Sequence, residues 1–171
     1  MILKNVTATA LAASLTMFTS AHAEVIRIGS IAEYQPYNYL DDEGEMQGFE
    51  AGLASLICLQ ASLNCEWVLS PQEDLIGNLQ AGNFDIIISA MEISAENQLY
   101  IDFSEEYLPL GTISTLGVTL ADPVGIGISS SNPALLASLN AALATIKSDG
   151  SLDTLVSAWF EGLDPEYRNL P

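Results

Sequence analysis

Hydrophobic positions along this chain change period several times, and each change marks an element. Residues 25–31, VIRIGSI, place apolar side chains around Arg27 in the two-residue period of a strand. From Glu50 to Leu63 the period lengthens, and Leu53, Leu56, Ile57 and Ala61 fall on one helical face. Cys65 to Leu69 predicts a short strand. Pro71 to Gln80 predicts a helix with Ser70 as its N-cap, Pro71 in the first turn and Gly82 just past the end. Asp85-Ile86-Ile87-Ile88-Ser89 is nearly continuous in apolar character, as a strand buried on both faces requires. The order strand, helix, strand, helix, strand implies a parallel sheet covered by helices.

After Phe103-Ser104 the pattern changes. Thr112 to Leu120 reads as extended, Ala121-Asp122-Pro123 as a turn, and Val124 to Ser129 as extended again. Two strands closing across three residues predict an antiparallel hairpin. Pro133 to Lys147 is a helix with Leu135, Leu136, Leu139, Leu143 and Ile146 on its apolar face. Asp149-Gly150 stops it, and Ser151 caps a last helix carrying Leu152, Leu155, Val156, Trp159 and Phe160. Tyr34-Gln35-Pro36-Tyr37 is a loop. Asp41-Asp42-Glu43-Gly44 is a turn whose acids lack the twelve-residue ligand pattern of a calcium loop.

The N-terminus reads as an address. Lys4 precedes an apolar stretch from Val6 to Phe18, and Ala21-His22-Ala23 has the small-x-small form of a cleavage site. Residues 1–23 are therefore expected to be a signal peptide, residues 24–171 a single domain, and the compartment the periplasm. The lone histidine leaves with the signal. Arg27, Lys147 and Arg168 then face 22 acids, a formal charge of −19. Such a chain repels phosphate backbones, so nucleic acid is excluded as a partner. No later apolar run is long enough to span a membrane.

Cys58 and Cys65 are expected to pair in an oxidising compartment. Seven positions of unbroken helix would hold their Cα atoms about 10 Å apart, beyond the ~7 Å limit of a disulfide. The helix must therefore end between them, with Asn64 as the turn residue. A metal or redox pair is disfavoured, because the spacing is not CxxC and no histidine remains.

Several stretches taken together resemble the family 3 periplasmic solute-binding proteins, receptors of polar amino acid ABC importers. They are IRIGSIAEYQPYNY, GEMQGFEAGLASLIC, CEWV, EDLIGNLQAGNFDIIISAMEIS, IDFSEEY and the closing segment from Val124 to Phe160. The pattern is nearest the lysine/arginine/ornithine and histidine binders, whose disulfide the Cys58/Cys65 spacing also resembles. The resemblance implies an α/β fold: one lobe of a periplasmic-binding-protein type, with a mostly parallel sheet, helices on both faces and an antiparallel hinge hairpin. Members of the family have two lobes joined by crossing strands. Here the outgoing and returning strands meet through Ala121-Asp122-Pro123, so the second lobe is expected to be missing between Leu120 and Val124.

The resemblance also assigns the binding residues. Tyr34 matches an aromatic side chain that packs on the ligand. Ser89, Ala90, Met91 and Glu92 match a loop whose backbone N–H groups and short hydroxyls hold an α-carboxylate. Asn97 stands where an arginine forks onto that carboxylate, and a lost charge-assisted pair weakens binding by about 1.5–3 kcal/mol. Ile31 replaces an acid, and Gln72 replaces an aromatic wall. Glu92 adds negative charge and could receive an amine. Tyr37 and Glu50 match structural positions, and Trp67 and Trp159 read as core.

These readings favour binding over catalysis: with no histidine and few basic groups, neither catalytic residues nor a cofactor or metal is expected. The expected ligand is a small polar solute, an amino acid or an amine, bound weakly or with help. The expected partners are an ABC permease or another envelope protein. The alternative is an interaction or homodimerisation module.

Overall fold

The computed structural model describes residues 25–108 and 123–160. The predicted signal peptide, the predicted strand at Thr112 to Leu120 and most of the Ala121-Asp122-Pro123 join lie outside these residues. β1 (Val25–Ser30) leads into β2 (Glu33–Tyr34), β3 (Asn38–Leu40) and β4 (Met46–Gln47), then α1 (Phe49–Gln60). β5 (Asn64–Leu69), α2 (Leu75–Gln80), β6 (Ile86–Ile87), β7 (Asp102–Phe103) and β8 (Gly127–Ile128) follow, and α3 (Pro133–Ser148) and α4 (Ser151–Phe160) close the chain.

The main sheet runs β5-β1-β6-β8-β7. β1 is parallel to both β5 and β6, while β8 runs antiparallel to β6 and β7. The mixed sheet is thus parallel where helices cross over and antiparallel where the chain returns. β2, β3 and β4 form a separate antiparallel sheet. Helices cover both faces. On one, α1, α3 and α4 pack over Ile26, Ile28, Ile86, Ile88, Val124, Ile126 and Ile128. On the other, Leu75 and Leu79 of α2 pack with Phe84, Ile87, Met91 and Ile101. Ile86, Ile87 and Ile88 are each fully buried and face alternate cores, which is why that run is apolar throughout. Gly29 has no Cβ because Phe84 lies over it; a methyl there would sit 2.4 Å from the ring.

The structure corrects several boundaries. α1 stops at Gln60, and Ser62 rather than Asn64 takes the left-handed turn (φ 54°), leaving Asn64 to open β5. That turn brings Cys58 and Cys65 into a disulfide with Cα atoms 6.3 Å apart. The predicted helix from Pro71 is a 3-10 turn at Gln72–Asp74 followed by the shorter α2. Ser70 does not cap it: its hydroxyl donates to the Pro71 carbonyl and accepts from Asn78 Nδ2. Asn132 does cap α3, accepting the Leu135 N–H at 3.1 Å. Ser151 is the first residue of α4, and its N–H is held by Asp149 Oδ1.

The return segment belongs to the main sheet. Leu108 and Val124 pair as an antiparallel bridge, and both are fully buried. Tyr107 N–H also donates to the Val124 carbonyl, at 2.9 Å. Among the described residues no helix is long and apolar enough to cross a membrane.

Candidate functional site

β1, β5 and β6 end at the same edge of the sheet, and the loops that leave them form an open mouth. Ligands gather at this edge in open α/β sheets, because loops diverge there and leave a crevice. A cleft of about 490 Å³ is lined by Ile31, Ala32 and Glu33 after β1, by Leu69 at the end of β5, and by Ser70, Pro71 and Gln72 beyond it. The loop after β6 joins this wall directly, since the Ile31 N–H donates to Ser89 Oγ at 3.3 Å. Tyr34 is half-buried on β2 and stacks on Tyr37 with ring centroids 5.1 Å apart.

Residues 89–92 form the innermost loop. Ser89 is buried, and its hydroxyl is occupied by Ile31. Ala90 adopts φ +46°, a left-handed conformation that a residue with a Cβ keeps only when its surroundings hold it. Its N–H donates to Glu50 Oε1 at 2.6 Å. Met91 turns its side chain into the second core and offers the mouth only backbone. Glu92 bridges Val124, and Asn97 props the loop by donating Nδ2 to the Glu92 carbonyl at 2.9 Å. The return segment closes the arrangement: Ile93 N–H donates to the Pro123 carbonyl and Gly125 N–H to the Met91 carbonyl.

Under this loop lies a buried polar cluster. Glu50, in the first turn of α1, accepts hydrogen bonds from Ala90 N–H, the Tyr107 hydroxyl and Asn38 Nδ2. Asn38 Nδ2 also approaches Ser30 Oγ and the Ile88 carbonyl. Burial pushes the Glu50 carboxyl up to about 7 against the three hydrogen bonds, which lower it. The Tyr34 hydroxyl is raised by burial and then by the charges of Glu50 and Glu92. Gly48 makes the cluster geometrically feasible: with φ +117°, it lets the chain enter α1 where a Cβ would lie 2.1 Å from the Tyr37 carbonyl oxygen.

The mouth carries acids and no described cation. Arg27 forks onto Asp85 by 2.9 and 3.0 Å bonds, and Lys147 lies 3.8 Å from Glu105 beside α3. The structure thus brings Tyr34, Ser89, Ala90 and Glu92 around one loop, sets Gln72 on the facing wall, and uses Asn97 as a prop. Trp67 and Trp159 pack half-buried against the main core and flank a shallow groove with Gly48 and Gly52. Asn38 and Tyr107 escape the sequence reading, because nothing local marks them as partners of Glu50. A signal for Glu50 itself exists: with Ala54 and Cys58 it repeats at four-residue spacing on the buried side of α1.

Residues 26–162 match the profile of the bacterial extracellular solute-binding proteins, family 3. The L-arginine-binding protein of Pseudomonas aeruginosa is 32% identical over 111 residues, covering 64% of this chain and 43% of that protein. The lysine/arginine/ornithine-binding periplasmic protein of Escherichia coli is 33% identical over 106 residues, covering 60% and 41%. The chain therefore spans about two fifths of these relatives. A periplasmic His/Glu/Gln/Arg/opine family-binding protein from Silicibacter pomeroyi, solved with lysine, superposes with TM-score 0.73 at 26% identity, over 81% of this chain and 99% of that one. A point mutant of domain 1 from TmArgBP, in its arginine-bound form, superposes with TM-score 0.65 at 26% identity, over 72% and 92%. With its sheet, its mouth and most of its length matched in order, this chain belongs to the bacterial extracellular solute-binding proteins of family 3.

Proposed function

We propose that this chain is an exported, non-catalytic, one-lobed solute receptor that takes a small cationic solute at its open mouth. The observation that carries this reading is the charge of the mouth. Glu33 lines the cleft and Glu92 acts on Tyr34, while the described cations are engaged elsewhere. An ammonium or guanidinium finds compensation there, and a carboxylate does not. The solved domain 1 from TmArgBP, arginine-bound, supports a single lobe as a sufficient solute platform. The one-lobe reading draws further support from the chain between Leu108 and Val124. Its two ends pair with each other, and fifteen residues are too few for a second α/β lobe. An open half-site buries less of its ligand than an enclosed one, so binding is weak unless an envelope partner such as a permease supplies the second wall.

Calorimetry with matched pairs tests this. Lysine and cadaverine, ornithine and putrescine, and arginine and agmatine each differ by one carboxylate. All six are expected to bind with dissociation constants of about 10 μM to 1 mM, the amine of each pair at least as tightly as the amino acid. Glutamate is expected to be silent. Equal binding of glutamate, or silence from all six cations, would sink the proposal.

A second reading, an interaction module, has its own observation. Leu99 and Tyr100 stand 77% and 55% exposed beside each other. It predicts self-association in sedimentation that L99A abolishes.

A further inference from the structure

Glu50 is the one fully buried carboxylate among the described residues, and it lies behind the solute loop rather than among the residues lining the cleft. Its partners come from three other segments: Asn38 on β3, Ala90 in the loop after β6, and Tyr107 where the chain leaves the sheet. All three approach as donors, which suits an ionised carboxylate, an acceptor only. A proton on Glu50 turns one oxygen into a donor, and a partner must reverse. A tyrosine hydroxyl can turn and accept. The Asn38 amide is held as a donor, because its Nδ2 also serves Ser30 Oγ and the Ile88 carbonyl. The Ala90 N–H is backbone and cannot reverse. Asn38, Tyr107 and Ala90 all favour the ionised carboxylate, so protonation weakens the whole set and reduces the charge-assisted bond to Ala90 to a neutral one. Ala90 holds its left-handed turn against this bond.

The same carboxylate reaches the crossover. Tyr107 donates its N–H to the Val124 carbonyl, next to the Leu108–Val124 bridge. Among the described residues, the other titratable groups facing Glu50 are tyrosines: Tyr34 on β2, Tyr37 in the following turn, and Tyr107. Each hydroxyl is raised by burial first and by the Glu50 charge as well, with Glu92 adding to Tyr34. They stay protonated between about pH 5 and 9, so Glu50 is the group in this cluster that titrates. Its place in the first turn of α1 favours the ionised form.

We propose that Glu50 is a proton-controlled positioning residue, whose ionised carboxylate sets the Ala90 turn of the solute loop and ties it to the crossover through Tyr107. The contacts from Glu50 to Ala90 and Tyr107 carry the coupling, and burial of the carboxyl sets the pH at which it acts. Its consequence for solute affinity rests on the reading given under the proposed function.

Amide NMR of the solute-free protein from pH 5 to 9 tests the coupling. The Ala90 amide resonance is expected to move with a midpoint near 7, with Tyr107 and Val124 following the same curve, and E50Q flattens all three. Y107F removes a bond that lowers the midpoint, so it carries the Ala90 curve to higher pH. This shift remains readable if E50Q does not fold, and a merely structural role does not produce it. An Ala90 amide that is flat in the wild type, still titrates in E50Q, or keeps its midpoint in Y107F overturns the proposal. Lysine affinity is expected to rise about fivefold from pH 6 to 8. A titrating Ala90 amide in a protein silent to lysine supports the coupling and overturns the solute reading instead.

Discussion

A fully buried carboxylate is the sharpest local conflict among single residues here, and it has a consequence for stability. Glu50 is raised to about 7 from its ordinary 4.5, so the folded chain holds this proton where the unfolded chain has released it. The stabilisation is complete below the unfolded value and is lost as pH rises through the folded one, a difference of about 3 kcal/mol. Asp85 works in the opposite direction. Burial raises it, but the hydrogen bonds and charge of Arg27 hold its carboxyl below the ordinary range, so its contribution is lost as pH falls. The melting temperature is therefore expected to peak near pH 5 and to decline toward pH 8.5. E50Q is expected to melt lower at pH 5 and to lose most of that decline. A wild-type melting temperature that climbs from pH 6 to 8.5 in thermal scans would refute this assignment.

Among the elements, the junction between α1 and β5 depends most on a covalent tie. α1 must stop and reverse within four residues, and it does so through Ser62 at positive φ. The Cys58–Cys65 bond closes a short loop across that reversal, with a sequence separation of 7. Chain-entropy arguments give such a loop about 2 kcal/mol. Replacing both cysteines with serine is expected to lower the urea midpoint accordingly while leaving the β1–β5 register in place. A loss below about 0.5 kcal/mol would mean that the Ser62 turn and the packing of Ile57 against the core fix the junction unaided.

For the whole molecule, the question is closure. A receptor with two lobes traps its solute by folding one wall onto the other, whereas the single lobe we propose has nothing to fold. The Leu108–Val124 bridge and the buried Val124, Ile126 and Ile128 make the return segment part of the main core. Small-angle scattering of residues 24–171 is accordingly expected to give a radius of gyration of about 15 Å. Saturating lysine should leave it unchanged. Contraction by more than about 1 Å on adding solute would argue for a moving second wall.

Much of the fold is legible in the sequence because burial imposes period. Ile86-Ile87-Ile88 reads as a strand covered on both sides, and Leu135, Leu139, Leu143 and Ile146 read as one side of a helix. The disulfide pair was also a local matter of spacing. Tertiary structure alone decided the rest, because those choices depend on groups distant in the chain. It moved the turn to Ser62, gave Ser70 to Asn78 instead of a helix end, turned Met91 inward, and set Asn38, Ala90 and Tyr107 around Glu50. Hydrogen bonds spanning 12, 40 and 57 residues leave no periodic trace, since each partner satisfies only its own local rule.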